Sequence, residues 1–201
     1  DEKRLSAKGY GESKPLVQAT TPDARAKNRR VDFIILKPIS VSVNAGLVGS
    51  MVSGDDDLKG TSGFLIGSTL HYGVASAIEL NLGLYYGSRG AKDIDSELAL
   101  SYIEVPITAL YLFHNKGKPL QFNAGAGFSM ALNQGATWND DDVDAESPLI
   151  SAILTGGGTY DLSTAGMLRL QLRYNHATGD VLSDVDDFTV HTVDMQVGYI
   201  F

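Results

Sequence analysis

The chain ends Thr-Val-Asp-Met-Gln-Val-Gly-Tyr-Ile-Phe, with Val193, Met195, Val197, Tyr199 and Phe201 at alternate positions, and this period of two recurs from residue 39 onward. A repeat of two residues puts successive side chains on opposite faces of an extended strand, whereas a helical face repeats every 3.6. Eight runs of this kind can be counted. The first sets Ile39, Val41, Val43, Ala45 and Leu47 against Ser40, Ser42, Asn44 and Gly46, and the second Phe64, Ile66, Leu70 and Tyr72 against Gly63, Gly67, Thr69 and His71. The third opposes Ile78, Leu80, Leu82, Leu84 and Tyr86 to Glu79, Asn81 and Gly83; the fourth opposes Ile103, Val105, Ile107, Ala109, Tyr111 and Phe113 to Tyr102, Glu104 and Thr108. The fifth alternates Phe122, Ala124, Ala126, Phe128 and Met130 with Gln121, Asn123, Gly125 and Ser129. The sixth, over 149–160, is glycine-rich and its phase is open. The seventh opposes Leu168, Leu170, Leu172 and Tyr174 to Arg169, Gln171, Arg173 and Asn175, and the eighth is the closing run. The expected fold class is all-β: an eight-stranded antiparallel up-and-down barrel, preceded by a short α/β N-terminal segment.

Alternation alone does not say which face points inward. A soluble, lipocalin-like barrel turns its apolar face in around a ligand, and a membrane barrel turns it out to lipid. Three features favour the second. The chain stops on Phe201; tyrosines and phenylalanines (Tyr72, Tyr86, Tyr111, Phe113, Tyr160, Tyr174, Tyr199) sit near the run ends, as in interfacial girdles. The connections alternate in length, with long segments at 50–62, 87–98, 133–148 and 177–190 and short ones at 73–77, 114–119 and 161–165. Short periplasmic turns with long external loops produce that alternation and would put the N-terminus in the periplasm. A hydrophobic content of 43% excludes a disordered acidic tail, and no stretch reaches the ~20 apolar residues of a membrane helix, so any crossing must be by strands. Pro106 falls inside the fourth run, where it lacks a ladder donor, and a bulge is expected there.

The closing run resembles the last strand of outer-membrane barrels, which the barrel-assembly machinery reads as alternating apolar residues ending on an aromatic. The resemblance implies that Val193, Met195, Val197, Tyr199 and Phe201 are an insertion signal. Ala99-Leu100-Ser101-Tyr102-Ile103-Glu104-Val105-Pro106 followed by Tyr111-Leu112-Phe113 resembles the PorT-type outer-membrane β-barrel family. It implies an accessory role in an envelope secretion assembly and other envelope proteins as partners. Upstream, Gly9-Tyr10-Gly11-Glu12, Pro15, Arg25-Ala26, Asn28-Arg29-Arg30-Val31 and Phe33 resemble the closing segment of the OmpA-like peptidoglycan-binding domain. That likeness divides the chain into 1–38, the C-terminal part of an OmpA-like periplasmic domain, and 39–201, the barrel. Arg25, Asn28, Arg29 and Arg30 are its motif remnant. In the family the residues that grip peptidoglycan lie further upstream, so contact with peptidoglycan is expected only through a preceding portion, and the order of tail before barrel reverses the usual one. Thr21-Pro22-Asp23 predicts a helix start, with Thr21 as cap and a helix over 23–30, and the apolar run at 31–36 predicts a strand.

With the apolar faces in lipid, Glu79, Glu104, Asp194, Arg169 and Arg173 line the interior. An eight-stranded barrel is only wide enough for side chains to fill, so these opposite charges are expected to pair as a structural plug. No catalytic residue, metal site or cofactor is expected. The chain has no cysteine, and the acidic stretches 55–57, 140–146 and 180–187 lack the spacing of a calcium loop. A net charge of −8 argues against a nucleic-acid surface. His71, His114, His176 and His191 are scattered; His176-Ala177-Thr178 faintly resembles the His-x-Ser arrangement of lipid A deacylases, with threonine in place of serine. The expected protein is a non-enzymatic anchoring barrel of the cell outer membrane, in contact with membrane lipid and lipopolysaccharide. The alternatives are a secretion-assembly subunit, a lipocalin-like binder or a lipid A-modifying esterase.

Overall fold

The computed structural model describes residues 5–8, 21–24, 32–35, 39–53, 59–92, 97–113, 119–139, 141–143, 147–162, 165–178 and 189–201. Strands β1 (Leu5–Lys8) and β2 (Asp32–Ile35) form a separate antiparallel pair, with Leu5 opposite Ile35. Between them, Thr21 caps a helical start: its Oγ1 accepts the Ala24 amide at 3.2 Å. The remainder of the expected helix, with Arg25, Asn28, Arg29 and Arg30, lies outside the described residues.

Eight long strands then close into a barrel: β3 (Ser40–Ser53), β5 (Ser62–Ala75), β6 (Ile78–Lys92), β7 (Glu97–Phe113), β8 (Leu120–Trp138), β10 (Leu149–Asp161), β11 (Met167–Ala177) and β12 (Thr189–Ile200). Each of these strands pairs antiparallel with the next in sequence, and β12 returns to β3, so the ring has no open edge. Its ladder continues to the last residue, where the Phe201 amide donates to the Val41 carbonyl at 3.0 Å. Two short strands, β4 (Lys59–Gly60) and β9 (Asp141–Asp142), extend β6 and β8 at one end.

The faces fall as the alternation predicts, apolar outward. Phe64, Ile66, Leu82, Leu84, Phe122, Phe128, Leu170, Leu172, Met195 and Val197 are among the large exposed side chains, and every barrel strand contributes to that belt. The interior carries Asn44, Glu79, Glu104, Arg169, Arg173 and Asp194, all buried. This overturns the soluble lipocalin-like alternative, whose apolar face would have to point inward. The open phase of the sixth run is settled by pairing: Ile150, Leu154 and Tyr160 face out, and Leu149 and Ile153 face in.

Two expectations need correcting. Segment 87–98 is not a long loop, because β6 runs to Lys92 and β7 starts at Glu97; β8 likewise continues to Trp138. A hydrocarbon core needs only about 9–11 tilted residues per strand. Strands of 15, 17 and 19 residues therefore stand well clear of it, and part of the expected length asymmetry is ordered sheet. Nor does Pro106 make a bulge. The β6–β7 register is the same on both sides of it, Leu82↔Ile107 and Tyr85↔Glu104, and the irregularity lies at Ser101/Tyr102 against β8. The proline ring instead takes up room that Gly83 leaves free, since a Cβ on Gly83 would lie 2.8 Å from Pro106 Cγ and 2.5 Å from the Tyr85 ring. Gly83→Ala is expected to cost roughly 1–3 kcal/mol by overpacking. Adding Pro106→Ala should recover part of it, a coupling that urea titration of the double-mutant cycle measures.

Candidate functional site: a charged barrel interior

Inward positions alternate with lipid-facing ones along each strand, so the strands that make the wall also load the lumen. Near the short turns, Arg169 grips Glu79 with both ends of its fork, Nη1–Oε1 at 2.6 Å and Nη2–Oε2 at 3.3 Å, and its Nε donates to Thr159 Oγ1 at 2.9 Å. His71 Nδ1 lies 3.2 Å from Arg169 Nη1, which has only protons to offer, so Nδ1 is the acceptor. The ring proton then sits on Nε2 and is donated to Ser42 Oγ at 2.8 Å. Turning the Asn81 amide so that its nitrogen faces His71 Nδ1 (2.8 Å) and Glu79 (3.0 Å) completes the set; the tautomer and the flip are assigned from these partners. With this assignment His71 accepts at Nδ1, and its 3.2 Å approach to Glu79 Oε1 is proximity between two acceptors.

Further along the lumen, Arg173 bridges two acids from different strands. Its Nε donates to Asp194 Oδ2 at 2.9 Å and its Nη2 to Glu104 Oε2 at 2.8 Å. Asp194 also accepts Asn175 Nδ2 at 3.0 Å and Gln196 Nε2 at 2.6 Å. The guanidinium lies 5.4 Å from the centre of the Tyr85 ring, whose hydroxyl meets Thr69 Oγ1 at 2.6 Å. Between the two arginine clusters is a cavity of about 50 Å³ edged by Asn44, Thr69 and Gln171.

All five sequence-predicted interior residues are therefore buried in the lumen, in two clusters rather than one. A sixth charge was missed. Arg89, placed by the sequence in a loop, is an inward residue of β6 and only 6% exposed. Its guanidinium stacks 4.8 Å over the Tyr102 ring, and among the described residues its Nε and Nη2 have no hydrogen-bond partner. The signal was available in the alternation itself, since Tyr85, Gly87, Arg89 and Ala91 continue the inward phase of β6. Counting Arg89, the buried charges among the described residues are three carboxylates and three guanidiniums. Beyond it an apolar layer, with Leu98, Leu100, Leu149 and Val190 packed together, covers the end of the lumen away from the short turns.

On the outer face of β12, Val193, Met195, Val197, Tyr199 and Phe201 share one side as predicted. The Tyr199 and Phe201 rings meet edge-on at 4.9 Å, and the Tyr199 hydroxyl donates to the Ala165 carbonyl. His176 stacks on His191 at 4.4 Å, and its Nδ1 faces the Tyr174 hydroxyl at 3.3 Å. Thr178, the stand-in for a deacylase serine, donates its hydroxyl to the Ile150 carbonyl at 2.8 Å.

A family model described as outer membrane protein beta-barrel domain matches residues 23–183. Among solved structures, Neisserial surface protein A is similar at 17% identity and a TM-score of 0.55, over 81% of this chain and 99% of that one. The outer membrane protein OprG from Pseudomonas aeruginosa is similar at 14% identity and a TM-score of 0.53, over 83% and 97%. At these identities the likeness is one of fold. A segment of 36 residues is 56% identical to motility protein B of Bacillus subtilis (strain 168); it is 18% of this chain and spans only 14% of the relative's length.

Proposed function

Because the chain belongs to the outer membrane protein beta-barrel domain family, we propose that it is a sealed, non-enzymatic anchor in the outer membrane, holding its N-terminal segment on the periplasmic side. The observation that carries this reading is the lumen, filled by two ion-paired clusters and covered at one end by an apolar layer. An ion crossing it would have to break bidentate or bridging contacts in a low-dielectric interior, where each unpaired charge is costly. The orientation is supported by where the barrel's own ends lie: β3 begins and β12 finishes at the end that carries the short turns. The deacylase alternative is not favoured, because Thr178 is committed to a backbone carbonyl and His176 to Tyr174.

A second reading, an accessory subunit of an envelope assembly, draws on the extended β6–β7–β8 sheet, which offers a partner an ordered surface beyond the membrane. The test of the sealed anchor is conductance: purified protein inserted in planar bilayers should give no stable steps at neutral pH and moderate voltage. Reproducible open levels would reject a plugged lumen and restore a pore.

A further inference from the structure

Among the described residues, the lipid-facing belt is interrupted by a concavity on β10. On β10 the outward positions 156 and 158 are glycines, and together they floor a concavity of about 900 Å³ open to the outside. Phe122 of β8 flanks the glycines on one side and Leu170 and Leu172 of β11 on the other, beyond which the concavity runs on to Met195 and Val197 of β12, while Tyr160 and Leu168 lie at the end nearest the short turns. Over the glycine floor the strands on either side lie two inter-strand spacings apart, roughly 10 Å, which leaves a trough with room for one hydrocarbon chain between Phe122 and Leu170.

Local packing does not require these two glycines. A Cβ on Gly156 would meet nothing nearer than the Asn123 carbonyl at 3.7 Å, and on Gly158 nothing nearer than Leu120 at 3.4 Å. Gly157, which points inward, differs: its Cβ would lie 2.1 Å from the Leu170 carbonyl. Glycine weakens a strand interior, and a leucine at 156 or 158 would add apolar area to a face that already exposes Leu154 and Leu170. The polar residues bordering the trough are turned away from it, Gln171 donating to Asn123 Oδ1 at 3.1 Å and Arg169 engaged with Glu79. Its surface is thus hydrocarbon.

We propose that this trough is a binding site for one acyl chain of a phospholipid in the leaflet at the short-turn end, which is the inner leaflet in the orientation given above. It rests on that membrane reading and is continuous with the lipid-facing belt. A chain of methylenes is narrow and flexible enough to lie along the glycine floor. A second barrel, convex and studded with leucines, would be held off by Phe122 and Leu170 before its backbone reached that floor. Among the described residues lining the trough no outward charge selects a headgroup, so recognition is of the chain.

Protein refolded into vesicles of palmitoyl-oleoyl phosphatidylethanolamine and phosphatidylglycerol, extracted in detergent and weighed by native mass spectrometry tests this. One retained phospholipid per barrel is expected, with either headgroup. Gly156→Leu/Gly158→Leu should lower the retained fraction at least tenfold, and Ala109→Leu, on the lipid face of β7, should leave it unchanged. If the double variant fails to fold, Gly158→Leu alone carries the comparison. Equal retention by the filled variant overturns the proposal. So does a lipid-free dimer that the variant abolishes, which would assign the trough to a second copy. Each sample is first checked for the faster unboiled band of a closed barrel; if the unsubstituted protein lacks it, the membrane reading has failed rather than the acyl-chain site.

Discussion

Replacing Arg173 by methionine is expected to destabilise the folded barrel by roughly 3–5 kcal/mol, the range for removing one partner of a buried ion pair. Methionine approximates the length of the arginine stem, so little packing is lost. What is lost is, among the described residues, the only cation in hydrogen-bond contact with Glu104 and Asp194, both of which stay buried among side chains that cannot replace it. Asn175 and Gln196 still donate to Asp194, whereas among the described residues Glu104 has no side-chain donor besides Arg173. Adding Glu104→Gln and Asp194→Asn should recover most of the loss, because neutral amides do not need a counter-charge. The measurement is the urea midpoint of the fast-migrating unboiled band in lipid vesicles. An unchanged midpoint for the single variant would mean that the triad contributes nothing net.

Arg89→Met is expected to move the same midpoint the other way, with a gain of roughly 1–3 kcal/mol after allowing for the lost cation–π contact with Tyr102. The guanidinium is as deeply buried as that of Arg173, yet among the described residues no carboxylate is in contact with it, and Glu104 is already held by Arg173. Its desolvation is therefore poorly compensated, and an apolar side chain would join the neighbouring layer of Leu98, Leu100 and Val190. The pair of variants separates two accounts of the interior. If burial of charge as such decided stability, both would stabilise; if pairing decides it, they must differ in sign. A destabilised Arg89→Met would show that overall charge balance in the lumen matters more than contact.

Much of this was legible in the residues. A period of two needs no long-range information, so seven of the eight strands and their outward faces follow from Ile39, Phe64, Ile78, Ile103, Phe122, Leu168 and Val193 and what alternates after them. The interior charges at 79, 104, 169, 173 and 194 follow from the same phase. The stretch at 156–158 gave no phase, because glycines carry no side chain to alternate; register with Phe122 and Leu170 supplied it. Arg89 was missed because Gly87, Ser88 and Gly90 read as turn residues, although pairing with β7 holds them in strand to Lys92.

By itself, then, the sequence determined the barrel strand count, which residues share a face and five of the six charges in the lumen, since the alternation depends only on neighbours one and two positions away. Tertiary structure alone decided who meets whom inside. Arg173 reaches Glu104 across the lumen, and Arg169 reaches Glu79, 90 residues away in the chain. Such pairs are set by how far each strand slides past the next when the sheet closes, and that stagger belongs to the whole ring. For the same reason, only closure reveals that one arginine has no carboxylate partner among the described residues and that two glycines open a trough in the wall.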